Sequence, residues 1–150
     1  MAVASFGADD KTELTDAVVA ELQRRGFDVR GYGPAMGGPE QWAEVGERVA
    51  LDVAERRAET GIACCYTGTG VSIAANKVRG IRAALCADAE TTRGARIWND
   101  ANVLCLSLHN TRPEDVPAIL DAWFSDEPVD DGERANIARV GDIELFAQFG

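Results

Sequence analysis

The stretch from Cys64 to Lys77 constrains the fold and the chemistry of this chain more than any other. It begins at the end of a short apolar run, 61–66, which indicates a buried strand, and it ends in Ser-Ile-Ala-Ala-Asn-Lys, which indicates the start of a helix. Between them glycines alternate with threonines, and glycine lets a backbone approach a ligand closely. The N–H groups at a helix start have no partner within the helix and attract anions. The stretch therefore predicts a thiol beside an anion pocket, with a tight turn between buried elements as the alternative.

Composition excludes several classes of protein. The 150 residues are most simply one domain, 1–150, and the 46% of hydrophobic residues are enough for a packed core. The net charge is −10 and no basic run occurs, which argues against binding to nucleic acid or to an acidic membrane surface. No apolar stretch approaches the ~20 residues of a membrane span. The N-terminus lacks the features of a secretion signal, so we expect a cytoplasmic protein.

The four cysteines, at positions 64, 65, 86 and 105, all lie in apolar runs. Their spacing matches no zinc motif, so we expect reduced thiols and no metal. Adjacent Cys64 and Cys65 could form a vicinal disulfide, but alternation along a strand points their side chains to opposite faces. A thiol redox protein is a minor functional alternative, because redox pairs favour Cys-x-x-Cys spacing. We interpret Cys64, Cys86 and Cys105 as core thiols.

Apolar runs typical of buried strands alternate with amphipathic segments typical of helices. The predicted strands are 2–6, 27–32, 61–66, 81–86 and 102–107. The predicted helices are a first one around 14–22, then 40–57, one starting near 72, 89–97, one opened by Pro113, and 132–149. Buried strands separated by helices predict an α/β fold, a Rossmann-like three-layer αβα sandwich with a five-stranded parallel sheet.

Two local patterns refine the helices. Asp10 and Glu13 resemble a capping box at the start of the first helix. The second helix carries an apolar stripe of Trp42, Val45, Val49 and Val53.

Several polar residues directly follow predicted strands. Ligands of open parallel sheets bind beyond the carboxyl ends of the strands, at the point where the strand order reverses. The residues that should meet at this edge are Asp9, Cys65, Asp88 and His109.

Two long runs carry a resemblance to a known family. The first is 65–86, Cys-x-Thr-Gly-x-Gly-x-Ser-Ile-Ala-Ala-Asn-Lys-Val-x-Gly-Ile-Arg-Ala-Ala-Leu-Cys, and the second is 99–106, Asn-Asp-Ala-Asn-Val-Leu-Cys-Leu. With a looser match at Gly7-Ala8-Asp9, they closely resemble the ribose-5-phosphate isomerase B family, which includes the galactose-6-phosphate isomerase subunits. The resemblance covers about residues 3–140, and two runs matching at the correct separation are more specific than a lone glycine motif.

The resemblance implies an aldose–ketose isomerase that acts on phosphorylated sugars. Cys65 stands where the family has the base that moves a proton between C1 and C2, Thr67 where a residue assists ring opening, and Asp9 where an acidic residue contacts sugar hydroxyls. This chemistry needs a base and stabilisation of the enediolate oxygens, and no metal or cofactor. The loop backbone matches the family's anion hole at Gly68, Gly70, Val71 and Ser72.

The resemblance also implies a homodimer, or a dimer of dimers, with shared active sites. Asn99 matches a residue that the family's other subunit lends to the site, and Arg134 and Arg139 lie where two phosphate-binding arginines are lent in the same way. These arginines are five residues apart instead of the family's usual four, and solvated helix charges are the alternative interpretation. The last helix, within 132–150, is expected to pack on a partner subunit.

Three positions depart from the family pattern. Trp98 stands at the family's ring-opening histidine, Asp10 at a second family histidine, and His109 at an arginine that meets phosphate. Tryptophan offers one N–H donor and cannot act as a base, so Trp98 cannot replace an imidazole. We therefore hypothesise a substrate that is largely open-chain, such as a short aldose phosphate, or one whose apolar or deoxygenated face packs on Trp98. The alternatives are that Trp98 packs an interface, that His109 is a surface residue, and that the chain is a catalytically weak paralogue that binds a phosphorylated sugar.

Overall fold

The structure is a computed structural model that describes residues 2–147, and it contains five strands, six α-helices and three short 3₁₀ turns within that range. The strands are β1 (Val3–Ala8), β2 (Asp28–Tyr32), β3 (Thr60–Cys65), β4 (Ala83–Leu85) and β5 (Val103–Ser107). The helices are α1 (Glu13–Arg24), α2 (Trp42–Ala54), α3 (Thr69–Asn76), α4 (Ala89–Asn99), α5 (Val116–Trp123) and α6 (Arg134–Ala147). The 3₁₀ turns are Pro34–Met36, Pro113–Asp115 and Asp131–Glu133.

All strand pairs of the sheet are parallel, and the strand order is β2-β1-β3-β5-β4. The predicted α/β architecture is therefore confirmed. The chain builds outward from β1 to β2 and then returns to place β3 on the other side of β1, so the order reverses between β1 and β3. Because a crevice opens where the order reverses, the carboxyl ends of these two strands are the expected ligand site.

Two apolar layers cover the two faces of the sheet. One face packs against α1, α4 and α5 through a core that includes Phe6, Leu104 and Trp123. The other face packs against α2 and α3 through a smaller core that includes Val49 and Val71. This arrangement is the three-layer sandwich that buried strands and amphipathic helices predict.

A buried carboxylate ties α2 to the sheet. Asp52 is fully buried, and its two oxygens accept hydrogen bonds from Ser5 Oγ at 2.8 Å, Tyr32 Oη at 2.8 Å and Arg57 Nε at 2.9 Å. A buried carboxylate is tolerated when its oxygens are hydrogen-bonded and a cation is near. The network fixes the orientation of α2, whose first residue reaches the site described below.

Two local predictions were wrong. The N-cap of α1 is Thr12, which forms a reciprocal box with Thr15, and Asp10 instead accepts the backbone N–H of Lys11 at 2.8 Å. Strand β4 is also shorter than the predicted 81–86. The N–H of Ala83 is bonded to the side chain of Asn76 at 2.8 Å, so pairing begins later than the apolar run suggests.

Helix α6 has no buried residue. It packs on α4, and Glu144 accepts the N–H of Gly80 at 2.8 Å. Its exposed apolar side chains are Val140, Ile143, Leu145 and Phe146. The helix was predicted to extend to Phe149, which lies outside the described residues, as do positions 148 and 150. No helix within 2–147 combines the length and apolar character needed to cross a membrane.

Candidate active site

The sheet topology brings Asp9 and Cys65 together. Ala8 pairs with Cys64 across β1 and β3, so the next residues of the two strands, Asp9 and Cys65, leave the sheet side by side at its carboxyl edge. Cys65 is the last residue of β3, is 5% exposed and faces α2 and α3. Cys64 is fully buried and faces the opposite layer, as strand alternation predicts.

The turn after β3 requires glycine at position 68. Gly68 has φ of 76°, and a Cβ there would lie 3.0 Å from the carbonyl carbon of Leu106 and still closer to the Leu85 side chain. Glycine adopts this left-handed conformation without a steric cost, so the chain can turn at once from β3 into α3. The first N–H groups of α3 therefore lie directly beside Cys65.

The start of α3 offers unpaired backbone donors. The N–H groups of Gly70 and Val71 have no acceptor within the helix, since each lies in its first turn. The N–H of Ser72 already donates to the carbonyl of Gly68 at 3.3 Å. Of the predicted anion-binding positions, Gly70 and Val71 therefore offer free helical N–H groups, whereas the N–H of Ser72 is already bonded.

Two side chains around this turn, those of Thr69 and Trp42, were not assigned to the site from the sequence. Thr67 Oγ1 lies 2.7 Å from Thr69 Oγ1, so the two exposed hydroxyls act as a pair. The indole of Trp42 lies on Gly70, where an added Cβ would be 2.7 Å from the ring, and Trp42 is 46% exposed. Trp42 thus stands on the apolar stripe of α2 but is half-exposed at the site, whereas Val45 and Val49 of the same stripe are buried. Its apolar spacing on α2 gave no indication that α2 begins at the site.

His109 follows β5 and reaches the same edge. Its imidazole stacks on the ring of Tyr66, with ring centroids 5.0 Å apart. The backbone N–H of His109 donates to the carbonyl of Tyr66 at 2.9 Å, which links the segment after β5 to the segment after β3. Of the four residues predicted to meet at this edge, Asp9, Cys65 and His109 follow β1, β3 and β5. Asp88 follows β4, and its side chain caps α4 by accepting the N–H of Thr91 at 2.7 Å. Tyr66 carried no signal in the sequence.

Partial burial raises the pKa of the Asp9 carboxyl, and the neighbouring Asp10 carboxylate raises it further, although a backbone hydrogen bond opposes both effects. A carboxylate whose folded pKa is raised costs stability once it ionises. Asp10 itself is exposed and bonded to its own loop.

We expect Asp9→Asn to stabilise the fold at neutral pH. Because the folded pKa of Asp9 lies above the reference value of 3.8, the native state binds more protons than the unfolded state over the interval between the two, and wild-type stability falls as pH rises through it. The Asp9→Asn variant has no carboxyl to ionise at this position, so its stability does not fall for this reason. Urea unfolding of both proteins at several pH values should show a stability difference that is absent below pH 3.8 and grows toward neutrality. A variant that is less stable at neutral pH would instead indicate a structural role for the carboxylate.

The remaining thiols are core residues. Burial raises the pKa of the Cys64, Cys86 and Cys105 thiols, so they stay protonated. Across the described part of the chain, no group of three or more histidine, cysteine, aspartate or glutamate side chains is placed to hold a metal ion.

Trp98 and Asn99 lie on α4, on the far side of β4 from the Cys65 turn, and the Trp98 ring also lines a cavity with Leu85 and Cys86. They end α4, which runs from the carboxyl edge toward the amino edge of the sheet over 11 residues, or about 16 Å. The Trp98 ring packs on Gly94 one turn earlier, and 48% of the residue is exposed. Both residues line a cavity of about 300 Å³ between β4, α4 and α6. Within one chain they do not meet Cys65.

Arg134 lies close to this second group, and Arg139 lies further along the same helix, α6. Both are exposed on α6, and Arg134 donates to Asp131 at 2.8 Å. The nearby carboxylates of Asp131 and Asp100 raise the pKa of the Arg134 guanidinium, which places it by the end of α4. The predicted site residues thus form two groups, one around Cys65 and one around Asn99.

A family model described as Ribose/Galactose Isomerase matches residues 5–143. The chain therefore belongs to this family of sugar-phosphate isomerases, and the resemblance noted from the sequence is confirmed.

Relatives and solved structures agree with this assignment. The ribose-5-phosphate isomerase B of Escherichia coli is 37% identical over 111 residues, 74% of each chain, and the D-erythrulose-4-phosphate isomerase of Pectobacterium atrosepticum is 32% identical over 142 residues, 93% of each chain. The Arabidopsis thaliana DNA damage-repair/toleration protein DRT102 is 40% identical over 119 residues, but the chain spans only 37% of its length. The structure of ribose-5-phosphate isomerase B from Mycoplasma genitalium with bound ribulose-5-phosphate superposes with a TM-score of 0.83 at 30% identity, covering 97% of this chain and 98% of that one.

Proposed function

We propose that this isomerase interconverts the aldose and ketose forms of a short, open-chain sugar phosphate, with Cys65 as the base. The observation that carries the proposal is the position of Cys65. Cys65 is the last residue of β3, and the turn at Gly68, which is in the left-handed conformation, leads from it into α3. A proton acceptor and free backbone N–H donors therefore share the carboxyl edge of the sheet. The N–H groups at the start of α3 carry the positive end of the helix dipole to this edge, where they can stabilise negative charge on a substrate.

The proposed reaction moves one proton along the carbon chain. The Cys65 thiolate removes the proton from C2 of the aldose, the electrons shift onto the C1 oxygen, and an enediolate forms. The N–H groups of Gly70 and Val71 stabilise the developing negative charge, which is the type of interaction that contributes most to such reactions. The proton of the C2 hydroxyl passes to the C1 oxygen, the thiol returns the abstracted proton to C1 and becomes a thiolate again, and the C2 oxygen becomes the ketone. Asp9, which follows the neighbouring strand, accepts hydrogen bonds from substrate hydroxyls.

Trp98 supports the choice of a short substrate. An aldose phosphate that exists as a ring needs a group to move a proton from the anomeric hydroxyl to the ring oxygen, and an indole cannot do this. A four-carbon sugar whose O4 carries the phosphate has no free hydroxyl that closes a five-membered ring, so this step is unnecessary. The Pectobacterium relative, which aligns over 93% of this chain, is named for a substrate of that length.

The second group of residues fits a role in a partner's site. Asn99 and Arg134 are exposed near the amino edge of the sheet, about the length of α4 away from the carboxyl edge that holds Cys65. Helix α6 has exposed apolar side chains and no buried residue, which suits packing on another subunit. We therefore propose a homodimer in which each chain supplies Trp98, Asn99, Arg134 and Arg139 to the Cys65 of the other. His109 would meet the phosphate from the chain that holds Cys65.

We expect the enzyme to prefer a tetrose 4-phosphate to ribose 5-phosphate. Trp98→His should reduce the ratio of the two kcat/KM values by roughly tenfold or more, because a positioned imidazole supplies acid–base catalysis for ring opening. The measurement is kcat/KM for both sugars in the two proteins, after a panel of four- to six-carbon aldose and ketose phosphates has been screened in deuterium oxide for exchange at C1 or C2.

Trp98→Phe is the matched control, since it keeps a flat apolar ring without acid–base capacity. It should leave the preference unchanged. A wild type that already favours ribose 5-phosphate, with no gain in Trp98→His, would contradict the proposed substrate class and show that ring opening is handled elsewhere, with Asp9 and Thr67 as the next candidates.

A further inference from the structure

An exposed pair of aromatic rings lies beside Cys65, and the reaction proposed above gives only one of them a role. Tyr66 and His109 stack with an interplanar angle of 24°, and Tyr66 Oη lies 3.2 Å from Nδ1 of His109. Tyr66 is 64% exposed, so the pair is not held by burial in the core. A stacked pair that projects into solvent adds little to the stability of the fold, and its geometry calls for another explanation.

The backbone holds this pair in a fixed position. The carbonyl of Tyr66 accepts hydrogen bonds from both Ser107 Oγ and the N–H of His109, each at 2.9 Å. The N–H of Leu108 donates to the carbonyl of Cys65 at 3.0 Å. The two rings are therefore tied to the same backbone that positions the thiol.

The hydrogen bond between the rings is linked to the position of the imidazole proton. A tyrosine hydroxyl can donate to an imidazole nitrogen, and in the tautomer whose Nδ1 accepts this bond the imidazole proton lies on Nε2. Stacking on the phenol ring restricts rotation of the imidazole. We propose that Tyr66 is a positioning residue that holds His109 as a fixed Nε2–H donor to the phosphate oxygens of the substrate. This inference rests on the proposed function, in which His109 meets the phosphate.

The proposal can be tested directly because the chain contains a single histidine. Tag-free protein labelled with ¹⁵N-histidine should show one protonated nitrogen, Nε2, and one unprotonated nitrogen, Nδ1, whose resonance is shifted by an accepted hydrogen bond. In Tyr66→Phe the Nδ1 resonance should move toward that of a free imidazole. The ring stacking remains in this variant, so the change reports the hydroxyl alone. A proton on Nδ1 in the wild type, or an unchanged Nδ1 resonance in the variant, would overturn the proposal.

Tyr66→Phe is expected to change KM much more than kcat. Loss of one positioned hydrogen bond should raise KM for the sugar phosphate about 3–10-fold in Tyr66→Phe, with kcat changed less than twofold. In a His109→Gln background the same substitution should have no further effect, since the residue that Tyr66 positions is gone. A fall in kcat with constant KM, or an equal effect in the His109→Gln background, would contradict a positioning role.

Failure of the proposed function would look different. If wild-type protein exchanged no sugar-phosphate proton, titration with inorganic phosphate would still decide the inference. Phosphate should shift the Nε2 resonance of His109 in the wild type, and at higher phosphate concentrations in Tyr66→Phe. Equal titrations in the two proteins would overturn the role of Tyr66, whatever the enzyme's substrate.

Discussion

Replacing Cys65 with alanine is expected to lower kcat of the isomerase by roughly 10²–10⁴-fold, the usual loss when a general base is removed. The expected cause is chemical, because the backbone turn at Gly68 and the start of α3 do not depend on the thiol. The measurement is kcat for the preferred sugar phosphate together with the thermal unfolding midpoint.

Cys64→Ala is the matched control for this experiment. It removes the same atom from the adjacent position of β3, but Cys64 is fully buried and faces the layer of α1, α4 and α5. Both substitutions leave a small cavity and should lower stability by a similar, small amount. Activity should survive in Cys64→Ala. Near wild-type turnover in Cys65→Ala, or equal losses in the two variants, would remove the thiol from the mechanism.

The order of elements was predictable from the sequence because each element carries its own pattern. Short apolar runs bounded by glycine and polar residues marked the strands, and periodic apolar positions marked the helices. Parallel pairing followed, because a helix that packs back along a buried strand returns the chain to the edge where that strand began, so the next strand runs in the same direction. The opposite orientations of Cys64 and Cys65 also followed, since alternation along a strand is a property of the backbone.

Contacts between distant residues were less predictable. Trp42 has the spacing of a core residue, and only the packing of α2 against α3 shows that its ring lies over Gly70. The pair of Tyr66 and His109 joins positions 43 apart in sequence, and it depends on β3 and β5 being neighbours in the sheet. Strand β4 begins late because an asparagine side chain replaces a strand partner, which no apolar pattern reports.

The separation of the site residues into two groups was expected only through the family resemblance. Nothing in the local sequence around Trp98 or Arg134 indicates that they lie far from Cys65. The direction of α4 places Asn99 near the amino edge of the sheet, whereas Cys65 ends β3 at the carboxyl edge. A complete site of the proposed kind therefore needs a second chain, and this requirement leads to a decisive experiment.

Two inactive variants are expected to restore activity when mixed. Cys65→Ala lacks the base, and Arg134→Ala lacks the cation that each chain is proposed to lend. In a hybrid dimer, one site combines the intact Cys65 of one chain with the intact Arg134 of the other, while the second site lacks both. Random re-association of equal amounts makes half of the dimers hybrid, so about one quarter of the wild-type activity should return.

The control for this result is a mixture of Cys65→Ala with the double variant Cys65→Ala/Arg134→Ala, which contains no intact base and should stay inactive. Asn99→Ala should restore activity when mixed with Cys65→Ala, just as Arg134→Ala does, because Asn99 and Arg134 lie in the same group at the amino edge. Arg134 is exposed and paired only with Asp131 among the described residues, so its removal should leave the fold intact. No recovery from mixed subunits that have been shown to exchange, or full activity in a protein that sediments as a monomer, would mean that each chain completes its own site. The exposed cations of α6 would then be solvated helix charges, and the phosphate would be held by groups at the carboxyl edge, with His109 foremost among them.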